Sequence, residues 1–305
     1  MSNFLTIAIP SYRQPVELSR ALHALTLQTF KDFRIVIIDD NSGIDIVSIV
    51  HTYTKILDIT IIKNQKNLGA MKNMLKSILL ECETKYIFSH HEDDYIKSNY
   101  LEIAITALEK NADISYILTS PVWIKKDDIY TQSKINSLTI EKIDSHNFMV
   151  RSLDREPFIF GSVIYRREDI TTTLKLEKYF TLCDKIFLTE ILLNNGKKAG
   201  YVSEPGIYVH DHSLDQNDTR STGVTLAHMI NFFIFYQKHL TKKTIKIKRL
   251  ITNNFLLGCT HLPGKVSLNT IYAEQKMHTI ISFAHLNSIG VYSIIRLILK
   301  NTSYF

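Results

Sequence analysis

No Gly-x-Gly triplet occurs among the ten glycines of this 305-residue chain, and neither Gly196 nor Gly264, the two that precede a lysine, continues into Lys-Ser or Lys-Thr. Both common glycine-rich nucleotide cradles, the dinucleotide fingerprint and the phosphate loop, are thereby excluded. Cysteine is also scarce. Cys82, Cys183 and Cys259 lie far apart with no paired spacing, so neither a disulfide framework nor a cysteine zinc site is expected, and a reducing compartment fits. His91-Glu92 opens like a zinc-protease helix, but Tyr95 stands where the second histidine would be needed, which removes the ligand pair. Ser162 follows Gly161 without the further glycine of a nucleophile elbow. A basic region followed by a signal-type apolar run is missing too, because strand-like Phe4–Ile9 begins almost at once; no export is expected.

What is present is an ordinary core-forming composition, 45% hydrophobic and 22% charged, enough for one large or two modest domains. The net charge of +6 is unevenly placed. From Gln237 to Phe305 there are ten Lys and Arg against one acid, Glu274, a local balance of +9 that leaves −3 for residues 1–236. An asymmetric basic end suits an anionic surface, membrane or nucleic acid, or simply a solvated helix face.

Along the chain, apolar β-favouring runs alternate with helical periodicity. Strands are expected at 4–9, Phe33–Ile38, Ile59–Lys63, Lys85–Ser89 and Ile114–Leu118. Helices are expected at Val16–Leu27, Ile44–Lys55, Ala70–Leu80 and Ser98–Lys110. Short polar loops join them, the pattern of a mainly parallel sheet covered on both faces, hence an α/β fold. Residues 122–156 are mixed, with extended pieces and one short helix. Phe158–Tyr165 reads as a strand with Gly161-Ser162 at its middle, where a ligand or another backbone can approach closely. A helix over Asp184–Asn195, strands at Lys198–Val202 and Ile207–His210, and helices beyond Thr222 complete the reading.

The stretch Tyr86–Tyr95 carries the chemistry. A short apolar strand stops abruptly in three consecutive carboxylates, Glu92, Asp93 and Asp94. In an open parallel sheet, side chains at the carboxyl ends of strands face a ligand crevice. Crowded carboxylates repel one another unless a cation or proton relieves them, and hard oxygen ligands suit Mg²⁺ or Mn²⁺, which in turn hold phosphate. The plain alternative is an acidic turn capping the next helix. A second strand also ends in acids, Asp39 and Asp40.

Five pieces in order then point to a family. Ile7-Ala-Ile-Pro-Ser-Tyr12, Leu27-Gln-Thr-Phe-Lys-Asp-Phe33, Ile37-Ile-Asp-Asp-Asn-Ser42, Asn67-Leu-Gly69 with Asn73, and the acid triplet together resemble the family 2 glycosyltransferases of GT-A fold, bacterial surface-polysaccharide type, closely over residues 4–120 and more loosely over 158–215. The resemblance implies a GT-A catalytic domain over 1–221, with a nucleotide-sugar half (1–120) and an acceptor half (121–221), followed by a basic helical region over 222–305. It places Pro10, Ser11, Tyr12 and Arg13 around the nucleotide base and Asp40 on the base or ribose, with Asp39 a structural neighbour. Asn67, Gly69, Lys72 and Asn73 would run along the nucleotide-sugar, Lys72 offering charge to the diphosphate. Asp94 would contact a Mn²⁺ or Mg²⁺ ion directly, while Asp93 and Glu92 reach sugar hydroxyls, water or metal. Having Glu92 first departs from the commoner Asp-x-Asp, and His90 and His91 would flank the donor pocket. Asp184, after Leu182-Cys183 where the family usually has an acid or glycine, would be the catalytic base of an inverting transfer. His210, in His210-Asp-His-Ser213, would reach back to the metal and phosphates, with a loop over Asp215–Thr222 closing on the donor.

The implied partners are a nucleotide-sugar donor, with UDP the expected nucleotide, and a glycan or lipid-linked acceptor, at a cytoplasmic location, peripheral on the inner face of the plasma membrane. The basic residues Lys242, Lys243, Lys246, Lys248 and Arg249 among aliphatics suit anionic lipid, or the C-terminal helices pair in a homodimer. Ile280–Leu299 has spanning length but is interrupted by His285, Asn287 and Arg296. Two rival readings stay open. A metal-dependent nucleotidyltransferase would show a Gly-rich basic loop where Pro10-Ser11-Tyr12 stands. A nucleic-acid-binding tail would interleave aromatics with its lysines, whereas this tail is mostly aliphatic; no nucleic-acid partner is expected.

Overall fold

The computed structural model describes residues 4–125, 133–136, 139–154, 156–171, 176–179, 182–210 and 226–240. The chain divides into two compact units. The first comprises Met1–Ser145, Pro157–Thr172 and Glu190–Asp218; the second comprises His146–Glu156, Thr173–Thr189 and Thr219–Phe305.

The first unit is built on a nine-stranded sheet. It opens with β1 (Leu5–Ser11), α1 (Pro15–Thr26), β2 (Phe33–Asp39), α2 (Ile46–His51), β3 (Ile59–Lys63), α3 (Ala70–Ile78), β4 (Tyr86–Ser89), β5 (Tyr95–Ile96), α4 (Tyr100–Lys110), β6 (Ile114–Ile124) and β7 (Ile140–Ile143). In chain order there follow α5 (Ser145–Leu153), which lies in the second unit from His146 on, β8 (Ile164–Arg166), α6 (Cys183–Asn195), whose residues up to Thr189 belong to the second unit, and β9 (Lys198–His210). The strand order is β3-β2-β1-β4-β8-β6-β9-β5, with β7 paired to β9. The pairs β2–β3, β1–β2, β1–β4 and β6–β9 are parallel; shorter antiparallel pairings join β8, β5 and β7. The sheet is thus mostly parallel, as its near-continuous apolar strands imply.

Local sequence explains these elements. The Ile- and Val-rich β2 is buried along almost its whole length, whereas edge strand β3 is half-exposed and ends in Lys63, a charge that discourages edge pairing. Pro15 at the first position of α1 fixes its entry. Leu18, Leu22 and Leu25 on that helix then pack with Leu5, Ile7 and Ile9 of β1 and Ile35 and Ile37 of β2. Each such side chain, fully buried, contributes roughly 1.5–3 kcal/mol. Gln28 Nε2 donates to the Lys97 carbonyl (3.0 Å) and Thr29 N–H to that of Ser98 (2.7 Å), tying the link after α1 to the segment that follows the acid triplet.

Three expectations are revised. The segment Phe158–Tyr165 is not one strand: Phe160–Ser162 form a 3-10 turn and only Ile164–Arg166 pair, antiparallel to both β4 and β6. The two strands expected at Lys198–Val202 and Ile207–His210 are one, β9, whose register against β6 shifts between Thr119 and Pro121. There Thr119 Oγ1 accepts from Gly206 N–H (2.9 Å) and lies 3.2 and 3.0 Å from the Val202 and Glu204 carbonyls. The helix after β2 is also short, because the expected run to Lys55 ends at His51.

In the second unit, α7 (Leu226–His239) carries Tyr236, whose hydroxyl lies 3.3 Å from Thr189 Oγ1. Lys185 Nζ donates to the Ser152 carbonyl of α5 at 3.1 Å. This unit also takes in 146–156 and 173–189. His212, the Asp215–Thr222 loop, the basic cluster at 242–249 and Ile280–Leu299 lie outside the described residues. Among the described residues, no helix is long and apolar enough to cross a membrane.

Candidate active site

Parallel pairing sets the carboxyl ends of β1, β2 and β4 side by side: Ser11 lies opposite Asp39, and Ala8 opposite Ser89. Polar residues that follow each apolar run thus converge at one edge of the sheet.

At the end of β1, half-buried Pro10 pairs with Ile38 and is followed by buried Ser11. Tyr12 is 38% exposed. Arg13 sits at φ 56°, a left-handed conformation that costs a non-glycine residue roughly 1–2 kcal/mol. It is held there by an Nε–H bond to the Ser42 carbonyl (3.2 Å) and by its guanidinium lying 5.0 Å from the Tyr12 ring centroid. The result is an aromatic ring backed by a cation on an open surface.

At the end of β2, Asp39 Oδ1 accepts the Ser42 N–H (2.9 Å), a structural turn contact. Asp40 is nearly fully buried and accepts three hydrogen bonds: Asn64 Nδ2 (2.8 Å) and Leu68 N–H (2.8 Å) on Oδ1, and Gly69 N–H (2.9 Å) on Oδ2. Asn67 Oδ1 also accepts from Gly69 N–H (2.9 Å). Gly69, at φ 84°, is the cap of α3 and occupies a conformation that favours glycine. Asn73 is buried, donating to the Ile38 carbonyl (3.0 Å) and accepting from Asn64 (3.0 Å). Asp40 and Asn73 therefore pin the 64–69 loop to β2, while Lys72 on α3 is exposed.

The segment after β4 holds the triplet. Glu92 is committed to the β1 loop: Ser11 Oγ–H donates to Oε2 (2.5 Å) and Tyr12 N–H to Oε1 (2.8 Å). Asp93 and Asp94 are both buried. One ligand atom each from His91, Asp93 and Asp94 fall within 4.8 Å of one another, and His91 Nδ1 lies 3.3 Å from Asp94 Oδ2. Burial pushes the Asp94 carboxyl above the usual carboxylate range; His91 and a backbone hydrogen bond from His210 oppose that, while the Asp93 charge adds to it. Among the described residues, no well-formed hydrogen bond reaches Asp94 Oδ2; His91 Nδ1, at 3.3 Å, is its ion-pair neighbour. A Cβ on Gly161 would stand 2.5 Å from that oxygen and 3.1 Å from His91 Nδ1, so glycine keeps this side clear. Desolvated, mutually repelling carboxylates beside an imidazole, with one oxygen receiving no well-formed hydrogen bond, fit a divalent cation.

His210 comes to this place through β9, because Tyr95 of β5 pairs with Tyr208. Its contact with Asp94 is made by its backbone. His90, expected beside the donor pocket, is fully buried, its ring stacked near Phe88 at 5.0 Å and its pKa pushed down to about 3 by burial. The catalytic-base candidate Asp184 belongs to the second unit, in the first turn of α6, where its Oδ1 accepts Lys185 N–H (2.8 Å).

Sequence reasoning thus found most of the polar residues at these strand ends but missed Asn64, Lys76 and the proximity of His91 to the two aspartates. Asn64 follows β3 just as the acids follow β2 and β4. Lys76 Nζ donates to Asn64 Oδ1 at 2.6 Å.

Comparison with known proteins agrees with this geometry. The chain is 22% identical over 286 residues to an uncharacterized glycosyltransferase of Haemophilus influenzae, covering 83% of this chain and 95% of that one. Its fold is similar to S. aureus TarS 1–349 solved in complex with UDP-GlcNAc, with TM-score 0.63 and 17% identity over 94% of this chain and 81% of that one. A mannosyltransferase from Pyrobaculum calidifontis, in complex with GDP-Man and Mn²⁺, superposes with TM-score 0.52 and 11% identity over 99% of this chain and 87% of that one. The fold expectation is therefore met: this is the GT-A architecture of TarS. The Glycosyl transferase family 2 profile matches residues 6–179, more than half of the chain, and together with the strand-end site this makes the protein a member of glycosyl transferase family 2.

Proposed function

We propose that the protein moves a sugar from a nucleotide-diphospho-sugar, a UDP-sugar in the first instance, to a hydroxyl of a glycan or lipid-linked saccharide, with inversion at the anomeric carbon, in surface-polysaccharide synthesis. The observation that carries this reading is the convergence of an exposed aromatic–arginine pair, a pinned 64–69 loop and two buried aspartates at neighbouring strand ends.

Tyr12, backed by Arg13, offers a face on which a base can stack. Lys72 supplies charge to the diphosphate. Asp93 and Asp94 would hold a divalent ion, Mn²⁺ or Mg²⁺, with His210 beside them. When bound, such an ion offsets negative charge developing on a departing diphosphate. Asp184 takes the proton of the acceptor hydroxyl as its oxygen bonds to the anomeric carbon and the bond from that carbon to the diphosphate oxygen breaks. The C-terminal basic region brings the enzyme to an anionic cytoplasmic membrane surface carrying lipid-linked acceptors.

A panel of nucleotide-sugars, each with and without Mn²⁺, tests the substrate class by thermal stabilisation. A true donor at a hundredfold excess over its Kd stabilises by about 2.7 kcal/mol. Stabilisation by UDP-sugars only in the presence of the metal is expected; indifference to every nucleotide-sugar would reject the proposal. Asp184→Asn should abolish transfer while leaving donor stabilisation intact, and near wild-type transfer by that variant would remove Asp184 from its role.

A further inference from the structure

Immediately before the acid triplet stands His91, whose ring nitrogen lies among the carboxylates. His91 Nδ1 and Asp94 Oδ2 are 3.3 Å apart, and with an Asp93 oxygen the set spans no more than 4.8 Å. A set this compact, one imidazole nitrogen and two carboxylate oxygens, would hold a single divalent ion. Two further observations agree. Asp94 Oδ2 is buried with no well-formed hydrogen bond among the described residues. Gly161 leaves open the side of both His91 and Asp94 that any other residue would fill. Glu92, by contrast, is held by Ser11 and Tyr12.

We infer that His91 Nδ1 is a direct ligand of the divalent ion in this chain, completing a nitrogen-and-two-oxygen set with Asp93 and Asp94, and that it biases the site toward Mn²⁺ over Mg²⁺. This rests on the reading of the acid cluster as the donor's metal site and goes beyond it by assigning the nitrogen. Imidazole suits transition-metal ions better than Mg²⁺, which prefers oxygen and gives up its water reluctantly. The ring of His91 itself lies 3.3 Å from an Asp94 oxygen, which places its imidazole, by geometry, in the cluster with the two aspartates.

Pulsed electron paramagnetic resonance of Mn²⁺ bound to the full-length protein tests this without any turnover, because a coordinated imidazole nitrogen modulates the manganese echo. The wild type should show that ¹⁴N modulation, H210Q should keep it, and H91D should bind Mn²⁺ without it. The preference for Mn²⁺ over Mg²⁺, measured by competition, should fall several-fold in H91D. A folded H91D that takes up no Mn²⁺ while H210Q does would also support the assignment. Mn²⁺ bound to the wild type without nitrogen modulation, or modulation that survives H91D and disappears in H210Q, would overturn it while leaving the metal site standing. A wild-type protein that binds no Mn²⁺ at all would overturn the metal site and this assignment together.

Discussion

Glu92, Asp93 and Asp94 are chemically alike and adjacent, yet their surroundings assign them different tasks. Glu92 accepts two hydrogen bonds from the β1 loop, whereas Asp94 is almost fully buried and one of its oxygens receives no well-formed hydrogen bond among the described residues. A desolvated carboxylate beside a like charge costs stability unless a cation answers it. Asp94→Asn should therefore raise the melting temperature of the metal-free protein, by about 2–4 °C for each kcal/mol relieved, and abolish stabilisation by Mn²⁺. Calorimetry with and without the ion reads both, and a destabilised metal-free variant would contradict this account of Asp94. Gly161→Ala should act on the same carboxylate from the other side. Its new methyl would lie 2.5 Å from Asp94 Oδ2, and displacing that oxygen should weaken Mn²⁺ binding tenfold or more, by roughly 1.4 kcal/mol. A titration showing unchanged affinity would mean that the glycine is there for packing alone. At this scale the sequence revealed residue types and not partners. The triplet and Asp40 were visible as polar residues ending apolar runs, but which of them binds a loop and which faces the crevice depends on contacts with residues 24 to 81 positions away. His91 was expected only to flank the donor pocket, because a histidine in a loop has no periodicity to tell which neighbours its ring meets.

Among the elements, the parallel half of the sheet was legible because buried parallel strands must be apolar on both faces, and β1 to β4 are short apolar runs between polar turns. What escaped was decided by tertiary pairing. β5 is two residues long and exists only because Tyr95 and Ile96 pair with Tyr208 and Ile207, and the apolar character of Phe158–Tyr165 does not separate a strand from the 3-10 turn that places Gly161 at the acid cluster. The ties between elements are where substitution should divide binding functions. Glu92 joins the loop after β4 to the loop after β1, so Glu92→Gln, which keeps size but loses one acceptor, should loosen Tyr12 and weaken UDP binding severalfold while leaving Mn²⁺ affinity near wild type. Paired titrations with UDP and with Mn²⁺ alone check it; equal losses in both would make Glu92 a metal ligand instead.

For the whole molecule, charge and fold are segregated. The sheet and the metal-binding candidates belong to the first unit, while ten of the 36 basic residues lie in the last 69 positions, 237–305. If that excess serves a membrane surface, the full-length protein should co-sediment with phosphatidylserine-containing vesicles at low salt and release as ionic strength shortens the Debye length to about 8 Å at 0.15 M. Equal binding to neutral vesicles, or none to either while the protein remains folded, would assign the basic region to protein contacts instead. The central claim concerns the first unit: that its paired aspartates hold a divalent ion which in turn holds a nucleoside diphosphate. Isothermal titration of UDP into wild type and Asp94→Asn, each with and without Mn²⁺, tests it most directly. Binding to the wild type should strengthen at least tenfold when Mn²⁺ is present, and the ion should have no effect on the variant. UDP affinity that ignores Mn²⁺ in the wild type, or that responds to it equally in both proteins, would contradict the account.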